Sequence, residues 1–560
     1  MVRRTFVSGL TIVALLTVPV VPGSASNGAG SDRLARIQHI VVIYEENHSF
    51  DNLYGSWEGV NGLANADATH MRQVTQDSTE YSCLKQNDAN LTSPPLPATC
   101  VDTTTAVPFV SRFENAPFAI DEFIPPTANT CPNGQPGGQP GGCTRDLVHR
   151  FYQEQYQLNG GRQNRYVTGS DAIGLTMGVY DTHALPIYNY LHGDGHPHYA
   201  IADNLYQAAF GGSFLNHQWL IAAGTPVWPN ALNDGTANDL HSAVDQAGMP
   251  INYPLYASPA GTAVRDGALT ASCAPGPGRL PTPPGVVCGD FAVNTIQPVN
   301  QPYTPGTAVN RRLPVQTAAT IGDRLTDAGI DWAWYSGGWS NANGDIGGPG
   351  WTNGSGPACS DPNTNTNAIW PNCPNKIFQF HHQPFNYYAR YAPGTQDRTA
   401  HLRDEDEFLQ LVRSSSATCG LKPVSFVKPV GAENEHPGYA SESVGSDHLV
   451  ELLQAIQESR CAKDTMVIVT YDEFGGSWDH VTPPGQGGRP GVHDQWGPGT
   501  RLPTLVVSPY LRGDFVVDHT VYDSTSIVAT IERRFGVAPL TSRDAAVADL
   551  SHVYDAKSPF

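Results

Sequence analysis

None of the ten cysteines in the 560-residue sequence forms a CxxC pair, which argues against a zinc ribbon or a thioredoxin-like redox centre. Basic residues are scarce: 32 Lys and Arg stand against 52 Asp and Glu, a net charge of −20. A nucleic-acid-binding surface would be basic, so nucleic acid is not an expected partner, and docking on anionic lipid by charge alone is disfavoured. An acidic protein can still take an anionic substrate where a metal supplies local positive charge. Long apolar runs are absent too. No stretch approaches the roughly 18 residues of a membrane span. The longest candidate is Leu10 to Val21, preceded by Arg3 and Arg4 and followed by the small residues Ser24, Ala25 and Ser26. That pattern reads as a secretory signal peptide over 1–26. The mature chain is therefore expected to be secreted or periplasmic, with no stable membrane insertion after cleavage.

What is present fits export. The ten cysteines fall into sequential neighbours, Cys83 with Cys100, Cys131 with Cys143, Cys273 with Cys288, Cys359 with Cys373 and Cys419 with Cys461. We read these pairs as disulfide staples. The 56 Gly and 46 Pro imply much irregular loop. They concentrate near 60–145, 230–315 and 336–376, expected to be insertions in a single domain over 27–560. Between them the chain alternates buried strands with helices. Strands are expected at 37–44, 199–204, 331–335, 424–427, 465–471 and 502–508. Helices are expected at 147–157, 183–192, 316–328, 402–414, 446–459 and 524–534. This rhythm predicts an α/β fold, a three-layer α/β/α sandwich with a mostly parallel central sheet and long disulfide-stapled loop insertions.

Four constellations carry chemistry. Glu45, Glu46 and Asn47 follow the strand at 37–44, and Asp472 and Glu473 follow the strand at 465–471. In a parallel sheet both groups leave the same edge and can converge. Converging carboxylates repel, and one divalent metal ion resolves that cost; oxygen donors favour calcium, magnesium or manganese, with zinc still open. The third is Gly211-Gly212-Ser213. Two glycines permit a tight turn that exposes a nucleophilic hydroxyl, although serine is also a leading helix N-cap residue. The fourth is a set of histidines, His149, His382, His436 and His480, able to contact phosphate or protonate a leaving group.

These segments resemble the bacterial phosphoesterase family of nonhaemolytic-type phospholipases C and related serine acid phosphatases. The resemblance lies in IQHIVVIYEENHSFDNLYG (37–55), DNLYQAAFGGSFLNH (203–217), ENEHPG (433–438), VIVTYDEFGGSWDHVTPP (467–484) and GPGTRLPTLVVSPY (497–510). It implies an alkaline-phosphatase-like fold, Glu46, Asn47, Asp472 and Glu473 as metal ligands, and Ser213 as nucleophile. His149, His382 and His436 fall where the family surrounds the phosphate, with His381 adjacent to His382. His480, His217 and Glu45 are possible supporting residues. Many phospholipase members carry threonine followed by Pro-Asn-Arg at the nucleophile, whereas here Ser213 precedes Leu215-Asn216-His217, with His217 in place of the arginine. With only a short stretch after Phe535, the C-terminal β-rich domains of the larger phospholipases are not expected here.

The expectation is a secreted acid phosphatase acting on a small phosphomonoester through a phosphoserine intermediate, with His436 protonating the leaving group and a mildly acidic optimum. The alternatives are a phospholipase C that takes a phospholipid head group, using Trp332 to Trp339 and Phe378 to Tyr391 as an apolar landing surface, and a non-catalytic metal-binding module.

Overall fold

The computed structural model describes residues 29–85, 97–104, 108–122, 124–127, 146–251, 266–273, 282–304, 306–352 and 377–559. The expected signal peptide and the pairs Cys131 with Cys143 and Cys359 with Cys373 lie outside these residues.

Eight strands form the central sheet: β1 (His39–Glu45), β2 (Tyr199–Ala202), β3 (Trp332–Ser336), β4 (Leu402–Asp404), β5 (Val424–Lys428), β6 (Thr465–Tyr471), β7 (Thr504–Val507) and β8 (Phe515–Asp518). Their order is β4-β3-β5-β1-β6-β7-β2-β8. All pairings are parallel except those of β7, which runs antiparallel to both β6 and β2. β1 is central, and Ile40 to Tyr44 are fully buried. A strand covered on both faces has no polar side to show, which is why β1 and β6 read as continuous apolar runs.

Six helices matter here: α1 (Phe151–Leu158), α2 (Ser213–Ala222), α3 (Ile321–Asp327), α4 (Glu405–Ser414), α5 (Glu442–Glu458) and α6 (Thr525–Phe535). α2 packs with α3 and α6 on one face of the sheet, and α4 packs with α5 on the other. The result is the expected three-layer α/β/α sandwich. Disulfides join Cys83 to Cys100, Cys273 to Cys288 and Cys419 to Cys461, as sequential pairing predicts.

Boundaries moved where caps decide them. The helix expected over 402–414 begins at Glu405, because Leu402–Asp404 pairs with β3 as an edge strand and Asp404 then caps α4 by accepting from Asp406 N–H. α5 starts at Glu442, four residues early, on the Ser441 cap. α3 starts at Ile321 with a capping box between Thr320 and Asp323. The expected helix from 147 begins only at Phe151, leaving Leu147 to Arg150 extended beside Gly212. That extended stretch carries His149 into the site.

Candidate active site

Glu45 pairs with Tyr471 in the β1–β6 register, so the residues that follow leave the sheet side by side. Asp472 N–H donates to the Glu45 carbonyl at 3.1 Å, and Asp472 Oδ1 accepts from the N–H groups of Asn47 at 3.1 Å and Glu473 at 2.8 Å. The turn is tight: Asn47 has φ +63°, and a Cβ on Gly475 would lie 2.1 Å from the Asn47 carbonyl oxygen. Glu46, Asn47, Asp472 and Glu473 are all fully buried.

Ser213 is the first residue of α2, and Gly212, not Ser213, occupies the cap position. The serine side chain is thus free of capping duty, and its Oγ donates to Glu46 Oε2 at 3.3 Å. A Cβ at Gly212 would fall 2.7 Å from the His149 carbonyl, and Gly211 sits at φ +93°, so the turn needs both glycines. Glu154 on α1 holds this turn, accepting from Gly211 N–H at 2.6 Å and Thr500 N–H at 2.8 Å.

The histidines surround this point. His149 places Nδ1 2.6 Å from the Leu147 carbonyl and Nε2 3.6 Å from Glu473 Oε1. His436 places Nε2 3.2 Å from the Asn47 amide nitrogen and Nδ1 2.8 Å from the Pro437 carbonyl, with its ring stacked on Tyr439 at 4.0 Å. Burial lowers the pKa of His436. His382 Nδ1 is 3.2 Å from Glu46 Oε1, and its ring stacks on His217 at 4.8 Å. His217 lies one turn after Ser213 on α2, with Nδ1 2.8 Å from the Ser213 carbonyl and 3.7 Å from Asp472 Oδ2. A cavity of about 200 Å³ opens beside Ser213, lined also by Asp146, His149, His381, His436 and Tyr439.

The donor set fits a divalent cation. Three buried acceptors, Asn47 Oδ1, Asp472 Oδ2 and Glu473 Oε1, have no hydrogen-bond donor. Burial, then the charge of Asp472, pushes the carboxyls of Glu46 and Glu473 well above their usual range. Orphaned buried carboxylates are costly unless a cation compensates them. Glu46, His217 and His382 also bring ligand atoms within 4.8 Å of one another, and the Nε2 atoms of both imidazoles lack partners. That nitrogen widens the expected oxygen-only set toward manganese or zinc.

Two expected supporting residues stand apart. His480 faces Asp51 Oδ2 at 2.5 Å, within a buried network of Asp51, Asp479 and Arg501. Glu45 is turned away from Ser213, because successive side chains alternate across the sheet. Sequence reasoning missed Lys428, which ends β5, pairs with Glu46 and donates to the Tyr44 carbonyl at 2.7 Å. A lone lysine ending the apolar run Val424-Ser425-Phe426-Val427 was its only signal. It also missed Glu154, whose partner Gly211 lies 57 residues away.

Residues 37–538 match the Phosphoesterase family. Phospholipase C A of Mycobacterium tuberculosis is 23% identical over 598 residues, spanning all of this chain and 86% of that protein. Phospholipase C B of the same organism is 35% identical over 160 residues, 25% of this chain and 30% of its own length. Among solved structures, a 2-O GAG sulfatase aligns over 69% of this chain and 72% of its own at 10% identity, with a TM-score of 0.29. With the family match covering nearly the whole chain, this protein belongs to the Phosphoesterase family and is a phosphoester hydrolase.

Proposed function

We propose that the protein is an exported, metal-dependent phosphomonoesterase of the acid phosphatase type, working through a phosphoserine at Ser213. The observation that supports this most directly is the Ser213 hydroxyl itself. It sits at the start of a ten-residue helix, hydrogen-bonded to Glu46 and facing a small cavity lined with histidines.

Glu46, Asn47, Asp472 and Glu473 would hold one divalent cation, with His217 and His382 as reserve donors. When bound, the cation supplies positive charge that lowers the pKa of a nearby hydroxyl and offsets charge on phosphoryl oxygens. Glu46 accepts the hydroxyl hydrogen bond and aims the Ser213 oxygen at the cavity. Attack in line forms the serine Oγ–P bond as the P–O bond to the alcohol breaks, and the hydroxyl proton passes to Glu46 Oε2. The N-terminal N–H groups of α2 and the imidazoles of His149 and His436 face the phosphoryl oxygens, the main demand of phosphoryl transfer. His436 gives a proton to the leaving oxygen after its Nε2, freed from the Asn47 amide by the incoming ester, takes up a proton from solvent, a step that acidic pH favours because burial lowers its pKa. Water then cleaves the phosphoserine. Export is supported by the three disulfides, which oxidising compartments favour.

Phospholipase C activity is the second reading, favoured by the names of the relatives. The segments expected as a lipid landing surface argue against it, since Trp332, Trp334, Trp339, Phe385, Tyr387 and Tyr391 are core residues. Among the described residues, the exposed large hydrophobics are valines and isoleucines. The deciding measurement is hydrolysis of p-nitrophenyl phosphate beside phosphatidylcholine, each before and after chelation. Chelator-sensitive turnover of the monoester alone supports the proposal. Release of phosphocholine without monoester turnover moves the protein to the phospholipase reading, and silence on both sinks the hydrolytic assignment of this site.

A further inference from the structure

Glu45 and Glu46 are consecutive, so the strand that sends Glu46 toward α2 sends Glu45 to the opposite face, under α4 and α5. Glu45 is fully buried, and neither carboxylate oxygen has a hydrogen-bond partner. The charged groups acting on it, besides Lys428, are His448, Glu405 and Glu433. Those three residues form a cluster of their own. His448 Nε2 lies 2.9 Å from Glu405 Oε1 and 3.9 Å from Glu433 Oε2, while its Nδ1 turns to Glu451 Oε2 at 3.4 Å. One ligand atom from each of Glu405, Glu433 and His448 lies within 4.8 Å of the others. The arrangement has the form of a metal-ligating histidine: one ring nitrogen faces carboxylate donors, and the other is oriented by an outer carboxylate.

We infer that Glu405, Glu433 and His448, with Glu45 behind them, form a second divalent-cation site on the face of the sheet opposite Ser213. One imidazole among carboxylates suits manganese or zinc better than magnesium. Arg413 pairs with Glu451 and Lys428 acts on Glu45, so the carboxylates of Glu405 and Glu433 are the ones whose charge the cation compensates. Its three ligands come from the start of α4, the loop after β5 and the middle of α5. A cation there ties the loop bearing His436 to α4 and α5, so the site is structural and takes no part in the chemistry.

The test is a Mn²⁺ titration of the full, chelator-stripped chain, with free Mn²⁺ counted by electron paramagnetic resonance. We expect two equivalents for the natural protein and one for Glu433→Gln/His448→Gln, with the circular dichroism spectrum unchanged. Glu433→Gln alone, a partly exposed loop position, should weaken one equivalent at least about tenfold and serves if the double variant does not fold. A natural protein that binds one equivalent, lost in the double variant, leaves this site standing and removes the metal from the Ser213 side. Unchanged stoichiometry and affinity in both variants overturns the inference and leaves His448 as a protonated ion-pair hub only.

Discussion

Two clusters of buried acids stand at the same edge of the sheet, built from the same two sequence motifs, and they behave in opposite ways. Asp51 and Asp479 are matched by Arg501, which donates to Asp479 Oδ1 at 2.9 Å and Oδ2 at 3.0 Å and to Asp51 Oδ1 at 3.1 Å, with His480 against Asp51. Among the described residues, Glu46, Asp472 and Glu473 have one Lys or Arg partner, Lys428 on Glu46, and leave acceptors on Asp472 and Glu473 without a donor. Compensated charge is architecture: it fixes the strand-end loops to each other. Uncompensated charge leaves buried acceptors open to a cation, and Ser213, the proposed nucleophile, donates to one member of that cluster.

The largest separation between the clusters should appear in catalysis. Ser213→Ala removes the hydroxyl that touches Glu46, and we expect kcat on p-nitrophenyl phosphate to fall at least about 10³-fold with folding unaffected. Retention of more than a tenth of the rate would remove Ser213 from its assigned role. Arg501→Met should do the reverse. It leaves the buried Asp479 without a cation and Asp51 with His480 alone, and is expected to cost about 3–5 kcal/mol of stability by urea unfolding. A loss below about 1 kcal/mol would mean that water already screens the network.

Much of this contrast was legible in the residues, but not which acids belonged to which cluster. The apolar runs of β1 and β6 marked the parallel strands, and the acids after them marked the edge where chemistry gathers. Their register, and hence the meeting of Asn47 with Asp472, follows from period-2 geometry once the strands are neighbours. The antiparallel run of β7 left no local trace, because a short buried strand looks the same in either direction. Lys428, Glu154 and Arg501 were hidden for a different reason. Each acts on partners tens or hundreds of residues away, and nothing local distinguishes a compensating cation from a solvated one.

Asp266 lies between the two extremes. It is buried, receives Asn294 Nδ2 at 3.1 Å and Gly267 N–H at 2.9 Å, and has no ion pair among the described contacts. Burial raises its pKa to about 6, against the lowering effects of Ser242 and Arg150. A raised folded-state value means that the fold favours the protonated acid. The stabilisation is complete below the unfolded value near 4 and is lost as pH rises through about 6. Between pH 4 and 7 the natural protein should therefore lose roughly 2–3 kcal/mol that Asp266→Asn does not lose. Parallel urea curves for the two proteins across that range would show Asp266 fully compensated.

The smallest expected effect is the most diagnostic of the uncompensated cluster. Glu473→Gln removes one charge beside Asp472 and Glu46 and keeps the side-chain shape. In the chelator-treated protein this relieves repulsion and desolvation, so the free energy of unfolding should rise, by about 1 kcal/mol. The same change removes a donor of the proposed cation site, so added Mn²⁺ should stabilise the variant less than the natural protein and restore less activity. Asp479→Asn in the matched cluster should lower stability with or without metal, because it strips Arg501 of its main partner. If Glu473→Gln instead destabilises the metal-free chain, the acid is held by the fold as Asp479 is, and the distinction between the clusters fails at that residue.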